Sequence, residues 1–108
     1  DKYKVMAYEE PAMPLNPDMH KVIREKIKTP IATGERVFGT WGFYNFFKQD
    51  AVQLIQPDIC NCGGLTEGKK ICDMAMSTIS ASRLTSAPAR SPPRLHSIWR
   101  RSFPFRDP

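Results

Sequence analysis

The stretch IATGER, residues 31–36, is the most informative for the fold, because it joins a short apolar run to a turn glycine and an acid. Similar runs reach Glu9 in VMAYE and Asp58 in VQLIQPD, so an acid closes each of three apolar segments. The three acids are 26 and 23 residues apart, which leaves room for a loop, a helix and the next run. This period is typical of a repeated β/α unit with a carboxylate at the C-terminal tip of each strand.

Three strands and three helices are predicted over residues 1–76. Short apolar runs bounded by breakers predict strands at 4–8, 31–33 and 52–56. Sequential strands joined by helices lie parallel with right-handed crossovers. The predicted fold class is therefore α/β: a partial (β/α) barrel of three consecutive β/α units, followed by an irregular or disordered tail.

The helix starts are predicted from capping residues. Asn16 and Pro17 begin the first helix, because Asn is a good cap and Pro needs no N–H there; Thr40 can cap the second. On the first helix His20 is expected to face solvent, and Thr29-Pro30 to end it. The apolar positions expected to face the core are Met19, Val22, Ile23 and Ile27 on the first helix, Phe43, Phe46 and Phe47 on the second, and Ile71, Met74 and Ala75 on the third.

Charge divides the chain into two parts. The net charge of +5 suggests a nucleic-acid or membrane partner, but residues 1–76 hold ten basic and ten acidic side chains. Residues 77–108 hold six Arg, one acid, all seven Ser and half of the Pro, and show no strand pattern. We therefore divide the chain into a barrel fragment, residues 1–76, and a tail, residues 77–108.

The expected location is the cytoplasm. No apolar run approaches the roughly 18 residues of a membrane span, and nothing is typical of a signal peptide. The three cysteines, Cys60, Cys62 and Cys72, do not form a paired disulfide framework. Zinc binding by these cysteines is disfavoured, because no fourth ligand has a suitable spacing.

Acids at neighbouring strand tips predict a cation site. Carboxylates brought close together repel each other, and a hard divalent cation such as Mg²⁺ removes that penalty. The alternative is that each acid caps the following helix or pairs with a surface lysine. Three acids at these spacings, each after an apolar run, favour the site.

The motifs EEP (9–11), IATGER (31–36), QPD (56–58) and GG (63–64) together resemble the enolase superfamily. The resemblance covers about residues 3–76. It is strongest to the mandelate racemase and muconate lactonizing enzyme branch, and within it to acid-sugar dehydratases of the galactonate-dehydratase type. It implies a hydro-lyase that acts on a small-molecule sugar acid, in an intact parent that is expected to be a homo-oligomer.

The resemblance also implies residue roles. Glu9 and Glu35 correspond to two of three Mg²⁺ ligands, and the third, an aspartate, would precede Asp1. Asp58 corresponds to the aspartate that orients a catalytic histidine on the next strand. The implied reaction removes a proton α to a carboxylate, gives an enediolate and expels a β-hydroxyl as water. Arg36 either meets the substrate carboxylate or pairs with a neighbouring acid.

The expected histidine is missing, since position 85 is Thr85. With freely chosen codons, reading one base earlier from the codon of Met76 lets residues 77–95 encode VYDISVQAHVCAGPISTAA. That sequence resembles the family's next strand and places a histidine at position 85. A frameshifted tail is therefore our hypothesis, and sequencing the coding DNA across Met76 tests it; an intact frame with unrelated codons would reject it.

The alternative gives the tail a function of its own. Trp99, Phe103 and Phe105 lie near Arg100, Arg101 and Arg106, which suits a disordered basic arm for nucleic acid or another acidic partner. This alternative is a non-catalytic basic binding protein. On the favoured interpretation nucleic acid is not a partner, and the chain alone is expected to be inactive, because it lacks a metal ligand, the base and the capping domain.

Overall fold

Four parallel strands and three helices alternate along the chain in a computed structural model that describes residue 3, residues 5–78 and residues 83–84. The elements are β1 (Tyr8–Glu9), α1 (Pro17–Arg24), β2 (Ile31–Thr33), α2 (Gly39–Lys48), β3 (Leu54–Ile55), α3 (Leu65–Thr78) and β4 (Arg83–Leu84). The sheet order follows the chain order, β1-β2-β3-β4. The predicted α/β class with sequential parallel strands is confirmed. In the described part of the chain, no helix is long and apolar enough to cross a membrane.

The sheet extends further than predicted. β4 pairs in parallel with β3, with Ile55 opposite Leu84, so the prediction that no strand follows Met76 is wrong. β4 is held by backbone pairing rather than by a hydrophobic pattern, which explains why its sequence gave no signal. α3 also continues past Met76 to Thr78. The remainder of the predicted tail, and with it the frameshift and basic-arm hypotheses, lies outside the described residues.

The two faces of the sheet differ in what covers them. Ile31 and Ile55 point to the helices and belong to the hydrophobic core. Strand residues alternate between faces, so Glu9, Ala32 and Leu54, which are level in the sheet, share the opposite face. Glu9 therefore extends from the face opposite the helix-facing residues Ile31 and Ile55, and it is exposed.

The core lies between the sheet and helices α2 and α3. Phe43 and Phe46 are fully buried, and Phe47 is nearly so, as predicted for the inner face of α2. They pack with Val37 and Ile71. Burying a Phe side chain contributes about 1.5–3 kcal/mol, so these rings are a large part of what holds the sheet against the helices.

The start of α2 differs from the prediction. The helix begins at Gly39, and Phe38, at the capping position, makes no side-chain hydrogen bond. Thr40 lies inside the first turn, so its predicted capping role is wrong. Its backbone N–H instead donates to Oε1 of Glu67, at 2.9 Å, which supplies an acceptor from α3 for a group that has none within α2.

Helix α1 is capped as predicted but turned differently. Asn16 Oδ1 accepts the Met19 N–H at 3.0 Å. His20, expected in solvent, is fully buried, with its ring edge-on to Phe46 at 5.2 Å. The core face therefore runs through positions 20, 23 and 27, while Met19 and Val22 are 47% and 44% exposed. The helix ends at Arg24, before the predicted stop at Thr29-Pro30.

Candidate functional site

The predicted site residues lie at the C-terminal edge of the sheet. Glu9 is the last residue of β1 and is exposed, and Glu35 is two residues beyond β2 and half-buried. Neither carboxylate has a hydrogen bond or ion-pair partner among the described residues. Two unpaired carboxylates at one edge of the sheet are a suitable oxygen donor set for a hard cation. Within the described residues, no group of three or more His, Cys, Asp or Glu side chains forms a metal cluster.

Gly34 explains why a glycine precedes Glu35. Its φ is +143°, and a Cβ placed there would lie 2.8 Å from the backbone N and C of Gln56. The chain after β2 therefore lies directly against the chain after β3. Only glycine allows this approach, and it fixes where Glu35 emerges from the sheet.

The loops after β2 and β3 are also joined by Asn61. Its side-chain N–H donates to the backbone oxygen of Glu35 at 3.0 Å. Asn61 is itself held by a turn in which its N–H donates to the Asp58 backbone oxygen at 3.0 Å. Asn61 was missed in the sequence, where nothing distinguishes it from an ordinary loop residue.

Arg36 pairs with an acid in the structure. Its Nε–H donates to Oε2 of Glu10 at 2.8 Å, and its Nη2 also contacts that oxygen. The hydrogen bond and charge of Glu10, with a smaller contribution from Glu35, raise the pKa of Arg36 above its ordinary value. The acid-pairing alternative for Arg36 is therefore observed. Its side chain is 62% exposed, so a substrate carboxylate could still reach it.

Glu10 was not predicted as a site residue. It has a left-handed backbone, with φ at +40°, and its side chain is only 11% exposed. Oε1 of Glu10 is buried and has no hydrogen-bond partner in the described part of the chain. The EEP motif was a signal for this position, but only its first acid has a role in the resemblance.

Asp58 is buried, 2% exposed, and only half satisfied. Its Oδ1 accepts the Cys60 N–H at 2.9 Å, while Oδ2 is buried and has no partner among residues 3, 5–78 and 83–84. An unsatisfied buried polar atom costs about 1–3 kcal/mol, so Oδ2 is poised to accept a hydrogen bond from a further group. The end of β4 at Leu84 is level with Ile55 of β3. Thr85 itself lies outside the described residues.

The cysteines are unreactive apart from one. All three are free, and only Cys60 is exposed. Burial raises the pKa of Cys62 to about 11 and that of Cys72 to about 12, so both thiols stay protonated at neutral pH. This protonation does not favour metal binding by the pair.

Parallel strands with acids at their C-terminal edge follow the pattern of a β/α barrel. Residues 1–78 match the model of the enolase C-terminal domain-like family, and the chain belongs to this family. The sequence-based resemblance to the enolase superfamily is therefore confirmed.

Two curated relatives are sugar-acid enzymes. The chain is 37% identical to D-xylonate dehydratase of Haloferax volcanii over 75 residues, and this match covers 69% of the chain. It is also 37% identical over 68 residues to D-galactarolactone cycloisomerase of Agrobacterium fabrum, which covers 63% of this chain. In each case the match spans 18% of the relative's length.

Solved structures have the same local fold. An enolase-superfamily member from Salmonella Typhimurium is 40% identical with a TM-score of 0.74, covering 88% of this chain and 24% of that one. L-Talarate dehydratase from Polaromonas, complexed with Mg and L-glucarate, is 25% identical with a TM-score of 0.71, covering 77% of this chain and 23% of that one.

Proposed function

We propose that residues 1–78 are part of the catalytic barrel of an Mg²⁺-dependent acid-sugar dehydratase, a hydro-lyase. The observation that carries the proposal is that Glu9 and Glu35, whose carboxylates have no hydrogen-bond or ion-pair partner among the described residues, lie at the same sheet edge. A relative is a sugar-acid dehydratase, and a similar structure holds Mg and a sugar acid, which supports this ion and substrate class.

Glu9 and Glu35 would hold the cation through carboxylate oxygens. A bound Mg²⁺ supplies positive charge near the substrate carboxylate, where negative charge develops as the α-proton leaves. The chain's own residues orient the reactants. The exposed guanidinium of Arg36 is available to a substrate carboxylate, and Asp58 Oδ2 is available to a histidine N–H.

A histidine so held would have a fixed tautomer and a free second nitrogen, as a general base needs. In the reaction, that nitrogen would take the α-proton, and the electron pair left on carbon would give the enediolate. This electron pair would then expel the β-hydroxyl, which would take a proton from the protonated histidine and leave as water. Position 85 holds Thr85, which cannot take a proton in this way. We therefore propose that the 108-residue chain by itself has no dehydratase activity; turnover of any sugar acid by the purified chain would contradict this.

The metal role is tested by titrating the 108-residue chain with Mn²⁺, a paramagnetic substitute for Mg²⁺, and following water-proton relaxation. Binding is expected to be weak in the wild type and to be lost in Glu9→Gln and in Glu35→Gln, because each removes one carboxylate. Glu25→Gln is the matched control, since this exposed acid follows α1 at the opposite edge of the sheet. Equal binding by all four proteins would reject the proposed site.

Dehydration is not the only reaction among the relatives, since one relative is a cycloisomerase. The names of both relatives refer to a sugar acid or its lactone, but only a dehydratase releases water. We propose dehydration, as in the xylonate and talarate relatives. The test uses an intact barrel that carries residues 1–78 and a histidine at position 85. Formation of a 2-keto product from an open-chain sugar acid would support dehydration. Isomerisation of a lactone without dehydration would reject it.

A further inference from the structure

We infer that the Glu10–Arg36 ion pair is a positioning device that fixes the spacing of Glu9 and Glu35 at the tips of β1 and β2. The inference rests on the proposed metal role of those two carboxylates. Each member of the pair directly follows one candidate ligand in the sequence, Glu10 after Glu9 and Arg36 after Glu35. A contact between Glu10 and Arg36 therefore sets how far apart the two ligands lie.

The backbone at Glu10 is shaped for this contact. A left-handed conformation costs a non-glycine residue about 1–3 kcal/mol, and it persists only where the surrounding structure holds it. At Glu10 it turns the side chain inward while the side chain of Glu9 remains exposed. The Glu10 N–H donates to the Ala32 oxygen at 2.9 Å, so the turn begins at the last backbone bond between β1 and β2.

The geometry of the pair is rigid on one side. Nε and Nη2 of Arg36 both approach Oε2 of Glu10, and the planar guanidinium holds these two donors in a fixed fork. Glu10 is the buried partner and Arg36 the exposed one. Removing Arg36 would leave a buried carboxylate without compensation, and the chain at the tip of β1 would have to move to hydrate it.

The alternative is that Arg36 acts only as a nearby charge. Its positive charge interacts with that of Glu35 as well as that of Glu10. Neutralising Arg36 would then remove repulsion toward an incoming cation and tighten Mn²⁺ binding. Loss of positioning has the opposite sign, because misplaced ligands weaken binding. The two roles are therefore separated by the direction of the change.

The deciding experiment is a Mn²⁺ titration of the 108-residue chain and its variants, followed by water-proton relaxation. Arg36→Gln is expected to weaken binding about 10-fold or more, the range typical of residues that hold metal ligands in place. Arg36→Lys should also weaken it, because a lysine keeps the charge but not the fork. The double variant E10R/R36E, which keeps the net charge and reverses the pair, should recover part of the affinity.

Arg24→Gln is the matched control, because Arg24 pairs with Asp50 at the other edge of the sheet and the substitution makes the same change in charge. It should leave Mn²⁺ affinity unchanged. Amide hydrogen exchange gives a readout without metal. In Arg36→Gln the Glu10 and Val37 amides should exchange faster, while the Gln53 amide, bonded to the Ile31 oxygen, keeps its wild-type rate and shows that the sheet is folded.

The outcomes separate the inference from the proposed function. Wild-type binding that depends on Glu9 and Glu35 but is unchanged or tighter in Arg36→Gln overturns the positioning role alone. Unchanged exchange at Glu10 and Val37 also overturns it. A wild-type chain that binds no Mn²⁺ overturns the proposed metal site, and the positioning role with it.

Discussion

The two edges of the sheet each carry an arginine–acid pair, and the pairs are built in opposite ways. At the N-terminal edge Arg24 binds Asp50, and at the C-terminal edge Arg36 binds Glu10. Both acids have left-handed backbones, with φ of +51° at Asp50 and +40° at Glu10, and both pairs are separated by 26 residues. The arginine is the more buried partner at the first edge, and the acid is at the second.

This difference matches a division of roles between the edges. Arg24 also donates to the backbone oxygen of Asp50, so its pair closes the chain after α2. Among the described residues, the N-terminal pair has one buried polar atom without a hydrogen-bond partner, Arg24 Nε, and the C-terminal edge has more. Buried atoms without a hydrogen-bond partner there include Glu10 Oε1, Thr33 Oγ1, Gln56 Oε1 and Asp58 Oδ2. In β/α barrels the N-terminal edge serves stability and the C-terminal edge serves chemistry. The role that we propose for the Glu10–Arg36 pair agrees with that rule.

Gly34→Ala, at the C-terminal edge, should have the largest effect on the free energy of unfolding. The new Cβ meets the Gln56 backbone at 2.8 Å and requires a φ that alanine rarely adopts. Gly64→Ala is the matched control, since Gly64 has a φ of +91° but open space where its Cβ would be. Gly34→Ala should lower the free energy of unfolding by about 1–3 kcal/mol more than Gly64→Ala does, which is the cost of overpacking. Equal losses in urea denaturation would mean that the close contact carries no weight.

Arg36→Gln and Arg24→Gln compare the two pairs directly. Arg36→Gln strands a buried acid, whereas Arg24→Gln strands an acid whose side chain is 64% exposed and can be hydrated. We therefore expect a larger fall in Tm for Arg36→Gln. A larger fall for Arg24→Gln would show that the N-terminal pair dominates stability, and it would reverse the comparison.

Glu67→Gln should give a smaller effect that depends on pH. The backbone N–H of Thr40 is the main cause that lowers the pKa of Glu67 below its ordinary value of 4.5. A lowered folded-state pKa gives stability that is present above the unfolded pKa and is lost as pH falls through the folded value. The wild type should therefore lose more stability than Glu67→Gln between pH 5 and pH 3. An equal loss of stability in the wild type and in Glu67→Gln between pH 5 and pH 3 would contradict the prediction.

Thr33→Val should have the smallest effect. The Thr33 hydroxyl is buried without a partner at the end of β2, so a methyl group in its place removes an unsatisfied oxygen. The free energy of unfolding should stay the same or rise by less than about 1 kcal/mol. A clear loss would show that the hydroxyl has a partner in solution, and that this part of the edge is satisfied after all.

The strand order and the strand-tip acids could be predicted because they depend on a repeat. Runs of apolar residues at a regular spacing determine the parallel sheet, and an acid just after a run is carried to its C-terminal edge. The exact strand lengths could not be predicted: the five-residue stretch 52–56 was predicted as a strand, and only Leu54–Ile55 forms β3. Hydrophobicity shows burial, but a strand residue also needs a paired neighbour.

The missed features depend on tertiary contacts. His20 was expected in solvent because it is polar, yet its spacing to Ile23 and Ile27 fits one helix face, and the ring of Phe46 completes its environment. The left-handed turn at Glu10 has no local signal, because it is stabilised by an arginine 26 residues away. β4 likewise forms through its pairing with β3.

The side-chain contacts that join consecutive β/α units span nearly the same length of chain. Glu10 to Arg36, Glu35 to Asn61 and Thr40 to Glu67 are separated by 26, 26 and 27 residues, about one β/α unit. Each of these contacts thus joins one β/α unit to the next along the chain. During evolution a unit can therefore be exchanged as a module if it keeps its contacts with the units on both sides. A chain that is cleaved in a loop between these contacts leaves two halves with matching surfaces, which can reassociate.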